Sequence, residues 1–362
     1  MSRKVLVAGF TTRHVASSAY NAGYKVYAVD NFCDIDLKQI AVSCTSFDEL
    51  SEIPEIIEEL DEKENFDFIV VTSGAENIEV KKGISGTNSK TASFFLDKKN
   101  IQNFFELNNI PVPGIADENE YPVIIKPCVG AGGWRNKKVQ NSFEEKEWAE
   151  LWPDVPYIRQ KIAEGVPCSV SCISDGKNAV AVSFNEQFLR GGSGDKSYGF
   201  AGAITPFSHP LEEEIIKTAE RAVALSGCVG SVGVDFIVSD DEFYAIEINP
   251  RFQATMDIVE SSYGINLFCA HIDACNGVLP QSFKREANCY TARKVLFADR
   301  EIIVPENLKE FHSKIADIPC IGTLVEEGSA LVSVYGTGST RESALESLDK
   351  TIKDIGRYIS RW

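Results

Sequence analysis

The sequence predicts a chain of mixed α/β and α+β class, an open parallel α/β unit followed by antiparallel sheet, and three stretches carry that prediction. KVLVAGF and YKVYAVD are apolar runs flanking a helical stretch from about Arg13 to Asn21, the pattern of a β-α-β unit. VGVDFIV and FYAIEIN are two β-branched runs joined by a short polar turn, the pattern of an antiparallel hairpin. From Asn288 onward, KVLFADREIIVP and GTLVEEGSALVSVYGTGST precede a final helix Arg341 to Tyr358, which reads as a small strand-rich closing region.

A length of 362 residues suffices for two or three domains with cores of their own, and 44% hydrophobic with 25% charged residues is ordinary for a globular protein. A net charge of -17 argues against a nucleic-acid partner, because no broad basic face can be assembled from so few cations. No apolar stretch is long enough to span a bilayer, and MSRKVLVAGF runs into its first strand without a leader, so a cytoplasmic protein is expected. The ten cysteines sit singly in apolar runs without zinc-type pairs, which fits a reduced compartment; Cys168 and Cys172 share a face as buried thiols. The four histidines are scattered, so a histidine metal site has little support.

Taken in order, the N-terminal unit continues through an acidic helical run, Asp48 to Glu64, into the strand FDFIVVTSG. Its first turn holds one glycine, Gly9, and fails the GxGxxG dinucleotide pattern. Thr11, Thr12, Arg13 and Ser73 to Glu76 lie at the carboxyl ends of these strands, where ligands gather, though turn and cap roles suit them equally. DKKNIQNFFELNN reads as a helix that stops before Pro111; Lys98 and Lys99 in its first turn oppose the helix dipole, either because an anion lies near or because they are solvated. The strand Pro122 to Lys126 then delivers a lysine beside Gly130, Gly132 and Gly133, a loop whose backbone N-H groups suit phosphate oxygens. YIRQKIAEGVPCSVSCIS reads as strand-turn-strand, AVAVSFNEQF as a strand, Arg190 to Gly202 as a long polar loop, Leu211 to Gly227 as an amphipathic helix, and SSYGINLFCAHIDACNGVLP as a buried helix.

The hairpin carries the chemistry. A three-residue turn, Asp240 to Glu242, sets Ser239 opposite Phe243 and Asp235 opposite Glu247, with Asn249 on the same face beside Gly233, Ile237 and Ala245. The other face then collects Val232, Val234, Phe236, Val238, Tyr244, Ile246 and Ile248 for a core. Facing carboxylates repel, so this is either a solvated sheet face or a site where a cation relieves the repulsion. Two carboxylates and an amide oxygen are hard ligands suited to Mg2+.

In their order these pieces resemble the ATP-grasp superfamily of ATP-dependent ligases, whose members include D-alanine:D-alanine ligase, biotin carboxylase and carbamoyl-phosphate synthetase. The resemblance rests on Asp97 and Lys98 ahead of IPVP, on IIKPCVGAGG, RQKIAEG and VGVDFIV, and on EINPRF; NPRFQ after the metal strand resembles the archaeal-type predicted carboligases. It implies an ATP-grasp fold: an N-terminal open parallel α/β domain (1–90), a lid subdomain (91–185), a catalytic subdomain of antiparallel sheet (186–285) and the closing region (286–362). It also implies ATP and Mg2+ as cofactors, with Mn2+ as a substitute ion.

By position, Lys98 and Lys126 match the lysines on the α- and β-phosphates, and Cys128 to Trp134, with Gly130, Gly132 and Gly133, match the loop over the triphosphate. Gln160 stands where relatives place an acidic residue for the exocyclic amine of adenine, Lys161 and Ile162 offer backbone groups to the ring edge, and Glu164 substitutes for a ribose-binding glutamate missing around Val166 to Cys168. Asp235, Glu247 and Asn249 match the metal ligands, and Arg251, with Lys126 the catalytic pair, matches an arginine that steadies the acyl phosphate or substrate carboxylate. The implied reaction joins a small carboxylate to an amine through an acyl phosphate, releasing ADP and phosphate. Bicarbonate-dependent carboxylation and non-catalytic ATP binding are the alternatives. No nucleic acid or membrane partner is expected, and a homodimer is admitted.

Overall fold

The structure is a computed structural model that describes residues 2–130, 132–192, 196–283 and 286–362. It opens with β1 (Lys4–Gly9), α1 (Arg13–Asn21), β2 (Lys25–Asp30), α2 (Ile35–Ile40), β3 (Ser43–Thr45), α3 (Ile53–Glu64) and β4 (Phe68–Val71), whose strands form a parallel sheet in the order β3-β2-β1-β4. Helices cover both faces, so the strands read as continuous apolar runs: Val5 and Val7 pack with Val15 of α1, Leu6 and Ala8 with Ile53 and Ile57 of α3.

Helices α4 (Ser89–Phe95) and α5 (Lys98–Leu107) lead to a small three-stranded antiparallel sheet of β5 (Val123–Pro127), β6 (Lys137–Val139) and, after α6 (Ser142–Leu151), β7 (Tyr157–Lys161), in the order β6-β5-β7. Val123, Ile125, Val139 and Trp148 give this lid its own core. A large sheet follows. Strands β8 (Val166–Asp175), β9 (Ala179–Leu189) and β10 (Phe200–Thr205) precede α7 (Glu212–Ser226), then come β11 (Val229–Val238), β12 (Phe243–Asn249), α8 (Met256–Tyr263), α9 (Leu267–Cys275) and β13 (Tyr290–Phe297). The chain closes with β14 (Ile302–Ile303), β15 (Ile315–Ala316), β16 (Leu324–Val325), β17 (Ala330–Gly338) and α10 (Arg341–Ile359). The sheet order is β12-β11-β8-β9-β10-β13-β17-β15, so the strand-rich C-terminal region extends the same sheet that holds the predicted metal residues.

The strand-turn-strand expected over YIRQKIAEGVPCSVSCIS is present, with its strands in different sheets: β7 belongs to the lid and β8 to the large sheet, and residues 162–165 cross between them. Four sequence expectations change. The loop expected over Arg190 to Gly202 is shorter, because Phe200, Ala201 and Gly202 enter β10, and the Arg190 and Gly191 N-H groups bond to Gly199 and Ser197 carbonyls. Part of that expectation, Ser193 to Asp195, and Ala131 of the glycine loop lie outside the described residues. The expected single buried helix after Ser261 is two helices broken at Gly264, which adopts φ 67°. Cys33 and Cys44 form a disulfide, Cα to Cα 5.9 Å, where separate thiols were expected. The eleven-residue spacing hides that pair; a turn in which Asp30 Oδ1 accepts the Cys33 N-H folds the chain back toward the neighbouring strand.

The fourth change is inside the hairpin. Asp235 faces Glu247 as expected, but Val238, not Ser239, faces Phe243, and a bulge after Asp235 absorbs the extra residue, so that Phe236 faces Ala245. Beyond the bulge the alternation flips. Ala245 and Phe243, not Tyr244 and Ile246, join Val232, Val234, Phe236, Val238 and Ile248 in the core.

Candidate active site

A cleft opens where three elements meet, and each has a local reason to point there. Residues of β5 and β7 in register share a face: Lys126 pairs with Ile158, and Ile124 with Gln160. Because Val123 and Ile125 fill the lid core, Lys126, Ile158 and Gln160 are turned to the cleft. Helix α5 contributes Lys98, Ile101 and Gln102, one face at spacings of three and four. Strand β12 contributes Ile246 and Glu247, neighbours that both reach the cleft because of the bulge. Ile101, Val112, Ile158 and Ile246 make its apolar walls.

The lysines are held differently. Asp97 caps α5 by accepting the Lys99 and Asn100 N-H groups, which offsets the cations of that turn. The Lys98 N-H donates to the Cys128 carbonyl at 2.8 Å and its Nζ to the Gly130 carbonyl at 2.8 Å, so the glycine loop is tied to the helix start. Across the loop a side chain at Gly133 would meet the Tyr198 carbonyl, 2.3 Å from a Cβ; only glycine lets the two loops close to this distance. Lys126 is 6% exposed; burial pushes its pKa down to about 8, Lys98 adds to the fall, and Glu247 opposes it. Among the described residues the side chain of neither Lys126 nor Glu247 makes a hydrogen bond or ion pair, although both line the cleft.

Asp235 Oδ1 accepts from Gln187 Nε2 at 2.9 Å and Oδ2 from Asn249 Nδ2 at 3.0 Å. Burial, then the Glu247 charge, push its pKa up to about 7. Asn249 Oδ1 accepts from Arg251 Nη2 at 3.2 Å and keeps a second lone pair. Arg251 Nε donates to Glu76 Oε1 at 2.7 Å, and Glu76 Oε2 accepts the Gly74 N-H at 2.7 Å, so the loop after β4 clamps the arginine at the end of β12. A divalent cation fits this donor set. It would relieve the facing carboxylates of Asp235 and Glu247, and it would find hard oxygens and no soft ligand.

The structure thus brings Lys98, Lys126, Gln160 and Glu247 into one cleft, with Asp235, Asn249 and Arg251 linked along the adjoining end of β11 and β12. It does not bring all predicted residues there. The Lys161 N-H donates to the Gly114 carbonyl at 2.8 Å and its ammonium pairs with Glu120 at 2.9 Å; Glu164 is exposed at the crossing from lid to sheet, beside half-buried Ile162. Thr12 donates to Asp30, and Arg13 pairs with Asp257 and Asp317. Sequence reasoning missed Gln102, Ile246 and Gln187. Gln102 had a signal, its spacing of four from Lys98; Ile246 had none, since alternation assigned it to the core.

Over residues 95–255 the chain matches a family model described as an ATP-grasp domain. An uncharacterized protein of Methanocaldococcus jannaschii is 25% identical over 99% of this chain and 93% of its own length. Biotin carboxylase of Campylobacter jejuni, in its β,γ-ATP complex, superposes with a TM-score of 0.78 at 17% identity, covering 98% of this chain and 91% of that one. L-amino acid ligase of Bacillus licheniformis superposes at 0.74 with 14% identity, 97% of each chain being covered. At these identities the two structures show the shared fold.

Proposed function

We propose that the protein is an ATP-dependent ligase that phosphorylates a small carboxylate and transfers the acyl group to an amine. One observation carries this reading: Lys126 and Glu247 face one cleft from two different sheets with their charges uncommitted, a cation for phosphates and an anion for a metal ion. Lys98 and Lys126 neutralise the triphosphate, and the apolar walls with Gln160 receive the base. Asp235, Glu247 and Asn249 hold Mg2+, or Mn2+ in its place. When bound, the ion supplies charge compensation on the phosphate being transferred.

With the nucleotide so held, the substrate carboxylate attacks the γ-phosphorus, a step that needs positioning and charge rather than a protein nucleophile. ADP leaves and an acyl phosphate forms. Arg251, fixed by Glu76, offers its remaining N-H groups to the acyl oxygen as the amine adds and phosphate departs. The described residues of the loops Cys128 to Trp134 and Arg190 to Gly202 shield the acyl phosphate from water.

Replacing Glu247 by Gln is expected to leave the far-ultraviolet circular dichroism unchanged and to lower substrate-dependent ADP formation by roughly 10²-fold or more. Undiminished turnover would remove the metal assignment. Screening ADP release against amino acids and amines, with and without bicarbonate, tests the reaction class: amine dependence without bicarbonate is expected, and an absolute bicarbonate requirement would replace ligation by carboxylation.

A further inference from the structure

The buried end of the cleft contains two glutamine side chains whose orientations are decided by their partners. Gln102 is 2% exposed and Gln160 3%. Gln102 Nε2 lies 2.7 Å from Glu106 Oε1 and 3.1 Å from the Pro113 carbonyl oxygen. A carboxylate and a carbonyl only accept, so the nitrogen of Gln102 must be on that side and its oxygen on the other. That oxygen accepts from Gln160 Nε2 at 2.5 Å. The nitrogen of Gln160 is therefore committed to Gln102. Its Oε1 is left buried without a partner among the described residues, on a side chain that lines the cleft.

A buried acceptor with no donor is the unmet half of a hydrogen bond, and a ligand that brings an N-H completes it. We infer that Gln102 is a positioning residue that fixes the polarity of Gln160, and thereby makes the cleft select a purine bearing an exocyclic amine over one bearing a carbonyl at the same position. Adenine presents an N-H donor there. Hypoxanthine and guanine present an oxygen, which would meet the Gln160 oxygen lone pair to lone pair, and Gln160 cannot turn its amide over without breaking the bond to Gln102. Nucleotide choice thus depends on a residue of α5 placed one side chain behind the one facing the base. The inference rests on the proposed ATP chemistry and adds to it the origin of base selectivity.

The test is competition binding on the full chain with three triphosphates: ATP, purine riboside triphosphate, which has hydrogen at that position, and ITP, which has the carbonyl. The expected order is ATP tightest, the purine analogue about tenfold weaker, and ITP about tenfold weaker again, since it adds repulsion to a lost bond. In Gln102→Leu, Gln160 is free to rotate, and the gap between ITP and the purine analogue is expected to shrink to within about threefold. A merely structural role for Gln102 would weaken all three together. Equal binding of ITP and the purine analogue by the unaltered protein overturns the polarity argument, as does a folded Gln102→Leu protein that keeps the gap. Should that variant not fold, Gln102→Met, which keeps the side-chain volume without the amide, takes its place with the same expected narrowing of the gap. Binding of none of the three overturns the ATP reading and this inference with it.

Discussion

Lys126 shows how far one residue type at one position can be interpreted. A lysine ending a strand beside glycines is readable as a candidate phosphate-binding group, but its ionisation is not readable from sequence, because that depends on the lid sheet burying it and on Lys98 arriving from α5. With its pKa lowered from 10.5 to about 8, the ammonium is fully present below about pH 8 and is lost as pH rises through that value. In the free protein the buried charge is unfavourable below pH 8, and the unfolded chain binds more protons between about pH 8 and 10.5, so this residue's contribution to stability rises with pH in that window. Triphosphate binding has the opposite sign, since it needs the charged form. ATP affinity is therefore expected to fall about fivefold to tenfold between pH 7.5 and 9. Lys126→Arg, which stays charged, should flatten the profile in titrations across that range. An equally steep decline in the arginine variant would place the titrating group elsewhere.

At the scale of elements, the hairpin of β11 and β12 was legible in composition, turn and facing carboxylates, and its outer strand was misassigned by one position. Period-two alternation carries no mark of a bulge, and one extra residue exchanges the faces of everything between it and the turn. Ile246 makes the difference measurable. In the core, truncation to alanine would cost about 2–5 kcal/mol; lining a cleft and half-buried, Ile246→Ala should cost under about 1 kcal/mol in urea unfolding. The same change should weaken ATP binding by about threefold to tenfold, because one apolar wall for the base is lost. A large stability loss with unchanged nucleotide affinity would return Ile246 to the core. The companion substitution Ala245→Leu, at a fully buried position, is expected to overpack the sheet and to destabilise by about 1–3 kcal/mol in the same measurement.

Across the whole molecule, the class of each region could be read from the sequence, but not the pairing of β10 with β13 that makes the C-terminal strands part of the central sheet, because no local pattern encodes which distant strands meet. Nor was the link that holds the N-terminal sheet against it. Arg13, at the start of α1, pairs with Asp257 of α8 at 3.1 Å and with Asp317 at 2.8 Å; Arg293 of β13 pairs with Asp317 at 2.9 Å and donates to Ser333 of β17. Both arginines are nearly buried, at 6% and 8% exposure. Removing one partner from such a set leaves buried charge uncompensated, so Arg13→Leu is expected to lower unfolding stability by about 3–5 kcal/mol, with Arg13→Lys recovering only part because an ammonium lacks the fork that reaches two carboxylates. The sign with pH follows from the carboxylates. Arg13 and Arg293 outweigh burial and hold Asp317 well below the usual carboxylate range, and Asp257 is lowered by the same two cations. Their stabilisation is complete above the unfolded carboxylate pKa near 4 and is lost as pH falls through the depressed folded values. Urea midpoints taken from pH 6 to pH 2 should therefore drop more steeply for the unaltered protein than for Arg13→Leu. Parallel pH profiles would mean that these charges contribute equally in the folded and unfolded chain, and that packing alone joins the N-terminal sheet to the rest.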